Sequence, residues 1–258
     1  MKIRRPRQLT TTISLAVLGI WIAAFSANGA ASTDNKTFHL NVSPNGYPPY
    51  LIVDEQEPSG IIWDVALLIA DRLDYTLVAV QVPRKRADQL VLDGYVDGTP
   101  RAIEWTKQPD RYLFTDPIVN SEEIFFMPSR LETNYESPDD FVSKTLVTHL
   151  GFHYPALEPY FAEGKIERFD VSRTRDMFNF VLYGDRFHAA VADRLVGHWI
   201  LRKEGLQDEF KTSRESISQY GFRIMVSKQW EDFVVAFNKE LERIQKNGEL
   251  DTILSNYR

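Results

Sequence analysis

The side chains able to do chemistry fall into a few short segments. Tyr47 stands in the Pro-rich turn Tyr47-Pro48-Pro49-Tyr50, directly after an alternating run at Phe38 to Val42. Loops held by a scaffold concentrate binding residues, so Tyr47 is either one wall of a cleft or a surface turn tyrosine. Arg84-Lys85-Arg86 opens a helix, where cations gain nothing from the positive end of the helix dipole. The run is either a solvated charge face or the partner of an anion. His149, Gly151, Phe152, His153 and Tyr154 follow one strand and precede a helix, a turn whose backbone N–H groups can face an anion. His149 and His153 do not share a helix face and no nearby carboxylate completes a ligand set, so no metal is expected. Asp193 ends an apolar strand at Ala189 to Ala192, just before a helix, and is placed to cap it.

What is absent narrows the chemistry further. The 258 residues contain no cysteine, which excludes a thiol nucleophile, a cysteine zinc site, an iron–sulfur cluster and a disulfide framework. There is no Gly-x-Ser-x-Gly, no His-Glu-x-x-His and no phosphate-binding glycine loop. No cofactor is expected. The 30 basic and 36 acidic residues leave a net charge of -6 without a clustered basic face, so nucleic acid is a poor partner. Lys2, Arg4, Arg5 and Arg7 precede an apolar run from Ile13 to Phe25 and a small-residue stretch to Ser32. This order predicts a secretory signal peptide over residues 1–30, cleaved between Gly29 and Ser32. Its loss removes four cations and moves the charge from -6 to -10.

The elements that must position these residues alternate. A strand at 38–42, a helix through Ile62, Val65, Ala66, Ile69 and Leu73, a strand at 76–82 and a short helix at 87–92 indicate α/β units. The pattern restarts at Glu123 to Met127, with strands at 145–150 and 188–192 and helices near 156–162, 175–183 and 195–203. Phe222 to Val226 reads as a further strand. Trp230, Phe233, Val234, Phe237, Leu241 and Ile244 mark one apolar helix face, ended at Asn247-Gly248, and residues 250–257 a last short helix. Two α/β lobes are the economical solution.

Seven segments in this order resemble the family 3 extracellular solute-binding proteins, the periplasmic receptors of polar amino acid ABC transporters. They are Tyr47 to Tyr50, Ser59-Gly60-Ile61-Ile62-Trp63-Asp64, Leu92-Asp93-Gly94-Tyr95-Val96-Asp97, Phe114-Thr115-Asp116-Pro117, Gly151-Phe152, Ala189 to Asp193, and Lys246 to Leu250. The resemblance spans residues 37–258. It implies a type II, two-lobed periplasmic binding protein, each lobe a mostly parallel sheet flanked by helices. Residues 31–122 with 224–258 would form lobe 1 and 123–223 lobe 2, with crossing segments near 121–127 and 219–225 as the hinge. It also implies a small polar solute, an ABC permease partner, a monomer and no enzymatic activity.

Residue by residue, the resemblance puts Tyr47, Arg84, Arg86, Glu104, Trp105, His149, Phe152 and His153 at the cleft and Asp193 against a ligand ammonium. Arg84 takes a place where relatives often present an aromatic wall, and a guanidinium can stack in its stead. Trp105 is a second wall or ordinary packing. Relatives clamp the ligand carboxylate with an Arg at the place of Gln108, where this chain has none; Arg101 or Arg111 is the implied substitute, or else forms a surface ion pair. A standard α-amino acid held in the usual way is therefore not implied. The same fold also carries cyclohexadienyl dehydratases, for which Glu104 would be the candidate general acid, and solute sensors that signal rather than transport.

Overall fold

The computed structural model describes residues 36–53, 57–132 and 135–257. The expected signal peptide and its cleavage zone lie outside these residues. No helix among the described residues is long and apolar enough to cross a membrane.

The first half is built on β1 (Lys36–Val42), α1 (Ile61–Arg72), β2 (Tyr75–Gln81), α2 (Arg84–Leu92), β3 (Gly98–Arg101) and β4 (Tyr112–Phe114). β5 (Val119–Pro128) leads into β6 (Thr145–His149), α3 (Glu158–Ala162), β7 (Glu167–Val171), α4 (Thr174–Tyr183), β8 (Phe187–Asp193), α5 (Arg194–Glu204) and β9 (Phe210–Thr212). β10 (Ser218–Ser227) returns the chain to α6 (Glu231–Lys246) and α7 (Glu249–Ser255). The strand order is β2-β1-β3-β10-β5-β8-β6-β7, with β4 on β10 and β9 on β5.

β1 pairs parallel with β2 and β3, and β6 parallel with β7 and β8. These are the βαβ units that the alternating pattern predicts. The centre is antiparallel: β10 pairs with β3 and β4 through residues 223–227, and with β5 through residues 218–222. β5 in turn runs antiparallel to β8. Both halves of the sheet are thus tied to the same two neighbouring strands, and Asn35–Arg258 holds together as one unit.

Apolar spacing determines how the helices seat. In α1, Ile62, Val65, Ala66 and Ile69 are buried on one stripe against Phe38 and Leu40 of β1. Gly60 precedes it at φ 111°, and a Cβ there would lie 2.8 Å from the Pro49 and Tyr50 carbonyl oxygens, so the turn that presents Tyr47 needs this glycine. In α6, Phe233, Phe237, Leu241 and Ile244 pack into the same core. The second half has a core on each sheet face, one around Phe126, Phe178 and Val181 and one around Phe125, Phe141 and Leu157.

Candidate functional site

The antiparallel centre brings loops from both halves over one floor. Tyr47, in the turn after β1, lies 6.2 Å from Phe152, in the turn after β6, and 6.3 Å from Phe222 of β10, centroid to centroid. Tyr50 stacks on Tyr47 at 5.6 Å. Trp105 approaches Tyr220 at 5.6 Å and Phe222 at 5.4 Å. The Arg84 guanidinium, at the start of α2, sits 5.4 Å from the Trp105 ring and 4.8 Å from the Phe152 ring. A planar cation between two aromatic faces is an arrangement suited to stacking and to an anionic group at its edge. Loss of water, then repulsion from Arg101, lowers the Arg84 pKa from its usual value. His149 lies 4.1 Å from Phe152, and burial lowers its pKa, so the ring is neutral at pH 7.

Beneath the aromatic residues are two buried carboxyl groups. Asp193 caps α5, accepting the Val196 N–H at 2.9 Å on Oδ1. Its Oδ2 accepts the Tyr50 hydroxyl at 2.8 Å, the Ser121 hydroxyl at 2.8 Å and the Glu122 N–H at 3.0 Å. Burial raises its pKa, and these donors oppose the rise. Glu123, opposite Asp193 across β5 and β8, is 6% exposed. Its Oε2 accepts the Ser218 hydroxyl, and burial lifts its pKa to about 7. Burial and the Asp193 charge likewise raise the Tyr47 pKa.

Tyr47, Arg84, Trp105, His149 and Phe152 therefore come together, with Asp193 below them through Tyr50. The other expected residues lie at its edge or outside it; the Arg101 charge still reaches Arg84, and the Glu104 charge reaches Tyr220. Arg101 turns to Asp88, 2.8 Å away. Arg111 donates to Gln108 at 3.1 Å on an exposed turn. Arg86 and Glu104 are exposed, and His153 is exposed beside Glu158 at 3.2 Å. Asp193 has its carboxylate engaged in four bonds, so its capping role is fully realised.

Glu123, Ser218 and Tyr220 belong to this candidate site by position and are absent from the sequence expectation. The signal for Glu123 was present: it is in phase with the buried Phe125 and Met127, so a charge sits on the inward face of a strand. A cavity of about 470 Å³ opens beside the crossing strands, lined among others by Tyr50, Asn120, Glu122, Asp193, Arg194 and Gln245, so it shares Tyr50 and Asp193 with the floor of the site. Tyr47, Arg84, Trp105 and Phe152 do not line it. Among the described residues no group of His, Asp or Glu side chains could hold a metal ion.

Residues 40–258 match the model of bacterial extracellular solute-binding proteins, family 3. Among solved structures, an ancestral arginine-binding protein bound to arginine superposes with a TM-score of 0.71 at 19% identity, covering 86% of this chain and 97% of that one. A mutant ArgBP from T. maritima gives 0.69 at 20% identity, covering 86% and 94%. A histidine kinase sensor domain with similarity to periplasmic binding proteins gives 0.70 at 19% identity, covering 87% and 97%. No curated protein matches. The chain belongs to the family 3 bacterial extracellular solute-binding proteins and has their two-lobed α/β fold.

Proposed function

We propose that this protein is a periplasmic receptor that captures a small polar solute, an amino acid or a related amino or carboxylate compound, and delivers it to an ABC permease. Residues 31–122 with 224–258 form one lobe in this proposal and 123–223 the other, with β5 and β10 as the hinge. Export depends on residues 1–30 as the signal peptide. The observation that carries the proposal is Arg84 of α2 stacked between Trp105 and Phe152. Phe152 follows β6, in the other half of the sheet from α2 and Trp105. A solute carboxylate at the guanidinium edge would touch both halves and favour closure, with its charge interactions strengthened as water leaves.

The proposal is tested by thermal shift of the purified protein against amino acids, polyamines and small carboxylic acids, followed by chemical recovery of any hit. A solute at 100 times its Kd adds about 2.7 kcal/mol and raises Tm visibly. A hit recovered unchanged supports the receptor; no hit across the panel rejects this solute class.

One observation favours a second function. Glu123, with a pKa raised to about 7 by burial, is able to donate a proton at neutral pH, as a general acid must. Another solved structure in the same fold class is an ancestral amino acid-binding protein described as a precursor of cyclohexadienyl dehydratase, at TM-score 0.68 and 17% identity, covering 86% and 95%. Conversion of the recovered solute, lost in Glu123→Gln, would establish an enzyme.

A further inference from the structure

Buried charges in proteins are paired or neutralised, because the loss of water costs several kcal/mol per ion (roughly) unless a partner replaces it. Glu123 and Asp193 are 6% and 3% exposed, and neither has a cationic partner among the described residues. Asp193 is satisfied by four donors. Glu123 accepts a hydrogen bond from Ser218 on one oxygen only. Beside it the Tyr220 hydroxyl, on a residue 6% exposed, is buried without a hydrogen-bond partner. Tyr220 lies under Trp105, and Glu123 acts electrostatically on Tyr47 and Tyr154. An acceptor lacking a cation and a hydroxyl lacking a partner thus meet on the floor beneath the stacked Arg84.

We propose that Glu123 and the Tyr220 hydroxyl form a subsite that receives a cationic end group of the solute, a side-chain or terminal ammonium or guanidinium rather than an α-ammonium, and so select a solute that carries one. This rests on the proposed receptor function and narrows it to solutes with a positive end. The proposal has a proton linkage built into it. The groups facing Glu123 are Ser218 and Tyr220 of β10, Asp193 of β8, and the Tyr47 and Tyr154 hydroxyl groups; none is a cation. Burial raises the Glu123 carboxyl to about 7, with the Ser218 hydroxyl opposing the rise and Asp193 adding to it. An arriving cation favours the carboxylate, so the Glu123 proton passes to solvent as the solute binds. Affinity then rises with pH through 7 and levels off above about 8.

The test is calorimetric titration of the purified protein at pH 6 and pH 8 with L-arginine, L-lysine and putrescine, and with the uncharged-end counterparts L-citrulline, L-norleucine and 1,4-butanediol. The cationic groups keep their charge over this range. At least one cationic probe is expected to bind ten or more times more tightly than its counterpart, and roughly tenfold more tightly at pH 8 than at pH 6. Glu123→Gln should abolish both differences while the circular dichroism melt stays cooperative, and Tyr220→Phe should weaken cation binding several-fold while affinity still rises with pH. Counterparts that bind as well as the cationic probes, or a cation preference that survives in Glu123→Gln, would overturn the subsite and leave the receptor function standing. Binding confined to other solutes without a cationic end group has the same meaning, whereas no binding by any small polar solute removes the receptor function itself.

Discussion

Asp193→Ala tests how the floor of the site is held. The carboxylate joins the N-terminus of α5, the strand β5 and the Tyr50 turn through bonds from Val196 N–H, Glu122 N–H, the Ser121 hydroxyl and the Tyr50 hydroxyl. Truncation removes a helix cap, typically about 1 kcal/mol. It also strands three further donors; Tyr50 and Ser121 are fully buried, at 0% and 1% exposure, and an unsatisfied buried group costs about 1–3 kcal/mol. Water entering the vacated volume reduces the sum, so a loss of about 3–5 kcal/mol is expected. Asp193→Asn keeps an acceptor at the cap and should lose less than half of that. The assay is urea unfolding followed by circular dichroism, with the m-value compared between variants. A loss below about 1 kcal/mol for Asp193→Ala at unchanged m-value would refute the assignment of these four bonds as a structural hub.

Three other outcomes follow from particular contacts. Gly197→Ala in α5 places a Cβ 2.0 Å from the Phe126 ring, which is itself fully buried; overpacking of about 1–3 kcal/mol outweighs the roughly 1 kcal/mol gain in helix propensity, so Tm should fall. The Glu123 carboxyl titrates near 7 in the fold against its ordinary 4.5, so its contribution to stability is complete below pH 4.5 and is lost as pH rises through 7. Relative to Glu123→Gln, the wild type should therefore lose about 3 kcal/mol between pH 4.5 and pH 8 in denaturant titrations, and parallel curves would contradict the assigned burial. Arg84→Ala removes its contacts with two rings and should cost about 1–2 kcal/mol of stability while weakening the solute by roughly tenfold in calorimetry; unchanged affinity would detach Arg84 from the site.

The legible parts of the fold were those with strong local periodicity. The stripe of α6 and the buried alternation of β1 follow from side-chain spacing, and both are present. β7, Glu-Arg-Phe-Asp-Val, is charged and mostly unburied and carries no strand signal of its own; it is held by parallel pairing to β6, a long-range interaction that leaves no local pattern. β3 carries Gly98 and Pro100, which weaken any strand signal, yet it pairs with β1 and β10. β10 starts at Ser218, four residues before the apolar stretch, and that polar beginning is what brings Ser218 and Tyr220 to the floor. The candidate site was legible where a residue type is distinctive, as with Arg84, Trp105 and Phe152, which the structure brings together. It was not legible for Glu123, whose meaning depends on Asp193 opposite it and Tyr220 beside it, both more than 65 residues away in the chain.

The most direct test of the account is a crystal structure of the protein with its tightest-binding solute. The account predicts the solute between Arg84, Trp105 and Phe152, with its polar end over Glu123. Electron density for the solute in the cavity beside Asn120, Arg194 and Gln245, with Arg84 still stacked on both rings, would contradict it.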